Sequence, residues 1–269
     1  MRGFEYAVSV PVSVIPAIAL AAWFRRLDRA RPAPRRALYT TMAFGAIACI
    51  PAALVELGER AILGDASMAG GRFVDAFVVA AFTEEVLKLL VVLAYPFRRS
   101  VFDEVMDGVV YTVGASLGFG LIENLAFGAN DVQTAMIRAI TAVPMHAIAS
   151  GIMGYFVGRA RFSSSASALP LTLAGLFLGV IVHGTYDWAV FNHDDTWFAE
   201  SIAVLAAGAL ILWALVKHAM RMDEAMLGRL SLPSALATWP SDVTQTLVPT
   251  LNVPKPPEAI EAIKRAGGT

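Results

Sequence analysis

The sequence predicts an all-α polytopic membrane bundle of about seven helices, and three observations carry that prediction. Hydrophobic residues make up 57% of the 269, charged residues only 16%, and the mean hydropathy is +0.62. A soluble domain lies nearer about 45–50% apolar and 25% charged. The apolar residues gather in runs of about 20, the length a helix needs to cross a bilayer. Basic residues collect at alternate ends of those runs, the asymmetry that orients membrane proteins.

The first span, 5–24, is followed by Arg25, Arg26, Arg29, Arg31, Arg35 and Arg36 and preceded by almost no positive charge. That pattern suits an uncleaved anchor with its N-terminus outside, despite the A-x-A-like Ala17-Ile18-Ala19. The second span, 37–57, carries Cys49, the single cysteine. It is expected to be a core thiol, and it excludes an intrachain disulfide or a thiolate metal cluster. Spans 73–95 and 105–127 are separated by a short turn holding Arg98-Arg99 and Asp103-Glu104. Spans 134–158, 169–191 and 199–218 complete the bundle. Arg159, Arg161, Lys217 and Arg221 then fall on the side of the first arginine cluster, which puts the C-terminus inside. The chain divides into a bundle over 1–230 and a Pro- and Ser/Thr-rich tail over 231–269. The tail reads as cytoplasmic and mostly disordered, with one short helix near 257–265. The small-residue pairs Gly114/Gly118, Gly154/Gly158 and Gly175/Gly179 are expected to let spans four, five and six approach closely.

Polar residues inside the spans point to function. Glu84, Glu85 and Lys88 interrupt the third span, Glu123 the fourth, His146 the fifth, and His183 with Asp187 the sixth. An ionised group at a helix centre costs about 2.5–3.5 kcal/mol, whereas each Leu or Val returns only about 0.3–0.6. Such residues persist where they face one another. Glu84 and Lys88 are four apart and can pair along the helix, leaving Glu85 to project into the bundle. Pairs of this kind also staple membrane helices without chemistry. His183 and Asp187 repeat the four-residue spacing, which suits an imidazole held by a carboxylate. Phe119 stands four before Glu123 and is expected to wall the pocket beside it, and His146 follows Pro144, where a kink opens space. Counting about 1.5 Å per residue along each span, the groups converge between the midplane and the outer face. Glu56 and Asp107 are expected to be interfacial or capping, His193 and His218 solvated, and Arg138 to snorkel toward the headgroups.

A glutamate in an apolar surround binds its proton tightly enough to serve as a base near neutral pH. Histidine or Asn124 donors can stabilise an oxyanion. No Gly-x-Ser-x-Gly, Asp-Asp pair or His-Glu-x-x-His is present, which disfavours serine, aspartyl and standard zincin mechanisms. Two histidines and a carboxylate can complete a catalytic zinc site. Glu123, His146 and His183 are the candidate ligands, with Asp187 behind His183. Lys88 beside the acids competes with a divalent cation, so a site with no cofactor is preferred and zinc is the alternative. A net charge of −1 with no basic, aromatic-laced stretch excludes a nucleic-acid partner. The rival readings are a proton-coupled transporter or channel, unsupported by any repeat between halves, and an inactive binding protein of the same fold.

Over roughly 73–191 these residues resemble the PrsW family of intramembrane proteases, distantly similar to the type II CAAX prenyl endopeptidases and Abi proteins. The resemblance rests on Glu84-Glu85-Val86-Leu87-Lys88, on Asp107-Gly108-x-x-Tyr111 leading to Gly118-Phe119-x-x-x-Glu123-Asn124, on His146 before Gly154-Tyr155-Phe156-Val157-Gly158, and on His183-Gly184-x-x-Asp187. Lys88 and Glu123 stand where the CAAX proteases have Arg, one residue further on, and His, which favours PrsW. The resemblance implies a multi-pass protein of the cell membrane. It implies peptide-bond hydrolysis in or near the outer half of the bilayer, by a water held between Glu84 or Glu85, Glu123, His146 and His183. Lys88, Phe119, Asn124 and Asp187 would support them. The implied partners are the lipid bilayer and a single-span membrane-protein substrate, of which an anti-sigma factor is the type.

Overall fold

The computed structural model describes residues 2–28, 31–63, 69–129, 131–192 and 194–231. The predicted tail beyond 231 and His193 lie outside the described residues, as does part of the loop before Arg72. Every described element is helical, as a chain in lipid requires if its backbone groups are to be satisfied within the segment. In order they are α1 (Arg2–Leu27), α2 (Arg35–Leu63), α3 (Ala69–Val74), a π-helical stretch (Asp75–Phe82), α4 (Thr83–Ala94), a 3₁₀ turn (Pro96–Arg98), α5 (Val105–Gly128), α6 (Val132–Ile140), α7 (Ala142–Arg161), α8 (Ser165–Asn192) and α9 (Trp197–Ser231). The architecture is the predicted all-α polytopic bundle.

Among the described residues, six helical stretches are long and apolar enough to span a membrane by themselves. The expected third span is not among them, because it carries the three charged groups Glu84, Glu85 and Lys88 and is assembled from three shorter helical segments. It is nonetheless unbroken helix from Ala69 to Ala94, built of α3, the π stretch and α4 end to end. The expected fifth span is two helices. Thr141, at φ −119° and ψ −66°, separates α6 from α7. Pro144 occupies the third position of α7, where an N–H has no intrahelical acceptor, so it tolerates the first turn and leaves the carbonyl of Ile140 free. The kink therefore falls three residues before the proline.

Sequence-distant ends meet at one end of the bundle. Arg31 pairs with Asp103 (3.1 Å) and Glu104 (3.3 Å), and Asp223 of α9 accepts the N–H groups of Val105 and Met106 at 2.7 and 2.9 Å. Asp107 is fully buried and caps α5 as expected, accepting from the backbone of Asp103 and Glu104. Arg161 at the end of α7 lies 5.6 Å from the Phe97 ring. The basic loops therefore share one end of the molecule, as the arginine pattern requires.

Helices α5 and α7 form the axis. Their spans are 89% and 83% buried (the second including α6), against 11–39% for the other four, which face lipid. Glycines set the spacing. A Cβ on Gly108 would lie 2.3 Å from the Gly154 carbonyl oxygen and 2.5 Å from the Gly158 nitrogen. Gly118 packs instead on the backbone of Met42 in α2, so the Gly114/Gly118 pair brings the second span, not the fifth, against the fourth. Gly175 and Gly179 of α8 face Met153 and Ala149 of α7, as expected.

Candidate active site

The π-helical stretch delivers the first turn of α4 to the bundle interior, with Glu84 5% exposed and Glu85 and Lys88 fully buried. Lys88 Nζ is the hub. It lies 2.8 Å from Glu84 Oε2, 2.9 Å from Glu85 Oε1 and 3.2 Å from His146 Nδ1, above the Phe119 ring at 4.6 Å. The expectation that Lys88 would serve one glutamate and leave the other free is corrected. Positions 84 and 85 are both within reach at four and three residues, and the ammonium has three donors to divide.

Glu85 is the most committed carboxylate. Its Oε2 accepts from Ser150 Oγ at 2.7 Å, and its Oε1 faces His183 Nδ1 at 3.0 Å as well as Lys88. His183 Nε2 lies 3.3 Å from Asp187 and 3.8 Å from Glu84, so both ring nitrogens are placed to donate to carboxylates. Glu84 spends only Oε2 on the protein, on Lys88 and distantly on His183. The His146 and His183 rings meet edge to face, with centroids 5.5 Å apart. His146 Nε2 contacts Glu123 Oε2 at 2.8 Å.

The five predicted catalytic residues therefore form one connected cluster drawn from α4, α5, α7 and α8. Phe119 underlies Lys88 rather than walling Glu123. Asn124 is turned aside: its Oδ1 accepts from Arg138 Nε at 2.8 Å, and its buried Nδ2 has no partner among the described residues. Arg138 does not snorkel. Its Nη2 sits 2.9 Å from Glu123 Oε1, an ion-pair contact rather than an aligned hydrogen bond. His218 is exposed but not merely solvated, since its Nδ1 meets the Tyr155 hydroxyl at 2.7 Å. Among the described residues, Glu84, His146 and His183 form a group whose ligand atoms lie within 4.8 Å of one another, with Glu84 where the sequence suggested Glu123. Glu123 instead sits behind His146, with Arg138 behind it.

A family model described as PrsW family intramembrane metalloprotease matches residues 33–216, a stretch that holds every residue of this cluster. The chain belongs to the PrsW family. Protease PrsW of Geobacillus kaustophilus is 30% identical over 77% of this chain and 89% of that protein. Protease PrsW of Bacillus subtilis is 29% identical over 66% and 81%, and that of Halalkalibacterium halodurans 30% over 79% and 97%. No solved structure matches the chain. As a PrsW protein the chain is a multi-pass membrane protease, and the transporter reading falls.

Two residues of this PrsW site escaped the sequence reading. Ser150 lies four residues after His146 and so on the same face of α7, a signal that spacing alone carried. Arg138 offered no such signal, because it acts across the break at Thr141.

Proposed function

We propose that the chain is an endopeptidase that cuts a membrane-anchored protein in the outer half of the bilayer, with Glu84 as the base. One observation supports this above the rest. Glu85 is held by Lys88, His183 and Ser150, whereas Glu84 keeps Oε1 free of protein partners among the described residues. Glu84 takes a proton from water as the oxygen attacks the scissile carbonyl carbon. The positive charges of Lys88 and of His183, whose two ring nitrogens both face carboxylates, stabilise through space the negative charge that moves onto the carbonyl oxygen. Collapse of the tetrahedral intermediate breaks the C–N bond, and Glu84 returns the proton to the leaving amine. Glu85 fixes His183 and Lys88. Glu123, Arg138 and Asp187 retain 13–20% side-chain exposure while the groups inward of them are sealed, so water reaches the cluster from that side. With the basic loops cytoplasmic, that side faces outward. The family resemblance supports a single-span membrane protein as substrate, with a membrane-anchored anti-sigma factor as the type.

A second reading follows from the family's description as metalloproteases. Glu84, His146 and His183 fit a catalytic zinc in donor type and proximity, one carboxylate and two imidazoles leaving a position for water. A zinc there would lower the proton affinity of bound water and polarise the carbonyl. Lys88 already brings a positive charge to Glu84 and His146, and for that reason the metal-free reading is preferred. The test is cleavage of a single-span substrate by protein purified in detergent. Wild type should cleave before and after chelator treatment, and Glu84→Gln should be folded and inactive. Activity in Glu84→Gln would overturn the assignment. Activity lost to chelator and restored by zinc would select the second reading.

A further inference from the structure

Arg138 is held by three groups on one turn of α5. Its guanidinium lies 2.9 Å from Glu123 Oε1, donates to Asn124 Oδ1 at 2.8 Å, and stands 4.8 Å from the Phe127 ring. An arginine near a helix end in a membrane gains by extending toward headgroups, so a guanidinium held by half-buried Glu123 and buried Asn124, with the exposed Phe127 ring beside it, is a specific geometry. Asn124 is completely buried, and its Oδ1 holds the guanidinium at Nε, on the same edge as the Nη2 that faces Glu123. The other Glu123 oxygen reaches His146 Nε2 at 2.8 Å, while His146 Nδ1 faces Lys88 Nζ at 3.2 Å. Four charged or polar side chains thus run in line from α6 through α5 and α7 to α4.

We propose that Arg138 is a positioning residue for catalysis. By holding Glu123 it fixes the orientation of the His146 ring, and with it the face that His146 presents to Lys88 and Glu84. The placement of α6 permits this: a separate nine-residue helix, set off from α7 at Thr141, carries Arg138 back over the end of α5. Thr141 is itself bonded to Tyr186 of α8 at 2.9 Å, so the break is anchored to the helix that carries His183. The proposal rests on the reading that Glu123 and His146 belong to the working site.

The test compares Arg138→Ala, Arg138→Lys, Glu123→Gln and the double variant Arg138→Ala/Glu123→Gln in the purified cleavage assay. Groups that orient a working imidazole are worth about ten- to a hundredfold in activity. Arg138→Ala should lose that much in kcat with KM little changed. Arg138→Lys should recover part of it, and added methylguanidinium should recover part in Arg138→Ala, since the site is one-fifth exposed. The double variant should be no worse than Glu123→Gln alone, because both changes break the same chain. Wild-type kcat in Arg138→Ala, alongside an impaired Glu123→Gln, would overturn the proposal and leave the site reading intact. A loss confined to KM, or fully additive losses in the double variant, would also overturn it. A fully active Glu123→Gln would remove the site reading and this proposal together.

Discussion

Lys88→Met removes the buried ammonium and keeps a chain of similar length, so it isolates the charge. Glu84 Oε2 loses its 2.8 Å partner and is left with His183 Nε2 at 3.8 Å, whereas Glu85 retains Ser150 at 2.7 Å and His183 at 3.0 Å. Removing one partner of a buried ion pair costs about 3–5 kcal/mol, and most of it falls on Glu84. The face of Phe119 beneath the ammonium adds about 0.5–2 kcal/mol. Methionine recovers part of the loss by packing, so a net destabilisation of about 4 kcal/mol is expected. At about 2–4 °C per kcal/mol for a chain of this size, the unfolding midpoint in detergent should fall by about 8–16 °C. A second substitution, Glu84→Gln, removes the stranded charge. Lys88→Met/Glu84→Gln should therefore regain more than half of the lost stability without regaining cleavage. A single variant that melts with wild type, or a double variant no more stable than the single, would refute the assignment of Lys88 as counter-ion to Glu84.

Glu85→Gln should lose stability as well as cleavage. Its amide must turn an N–H toward Ser150 or toward Lys88 and His183, a mismatch worth about 1–3 kcal/mol, whereas Glu84→Gln should melt close to wild type. At the opposite end, burial first and then the neighbouring Asp28 hold the Glu104 carboxyl well above the usual carboxylate range, against Arg31. A raised carboxyl stabilises the fold at pH below its ordinary value of about 4 and loses that contribution as pH rises. Thermal melts should show Glu104→Gln gaining on wild type as pH rises from 5 to 8, and a constant difference would refute this. Cysteines placed near Asp131 and Asp194 should react with an impermeant thiol reagent added outside cells, and those near Arg31 and Ser164 should not. The reverse pattern would turn the site toward the cytoplasm.

Helix number and pairing were legible where apolar runs and glycine spacing repeat along one helix. The site was legible where two members share a helix, as with Glu84/Lys88 and His183/Asp187, because a spacing of four fixes a face whatever surrounds it. Relations between helices were not. Which of the two glutamates is fully committed and which keeps a free oxygen depends on where α7 and α8 place Ser150 and His183, and no local pattern encodes that distance. Arg138 was misread for a related reason. Its neighbours in sequence describe a helix end in lipid, while its partners at 123, 124 and 127 exist only because the chain breaks at Thr141. Exchanging Glu123 for Glu84 in the donor set is the same error: spacing gives depth in the membrane but not which oxygen points at which ring.

The division of the cluster among four helices also bears on how the protein is made. A chain delivered to the membrane from its N-terminus inserts the third span before α7 and α8 exist. Lys88 reaches both glutamates from within its own helix, at three and four residues, so one of the two negative charges is offset within the segment itself, without help from later helices. His183, which completes the cluster, is contributed by α8 some hundred residues afterwards. On the proposed mechanism the site lacks His183 until α8 is in place, so cleavage is expected only once the bundle has nearly closed.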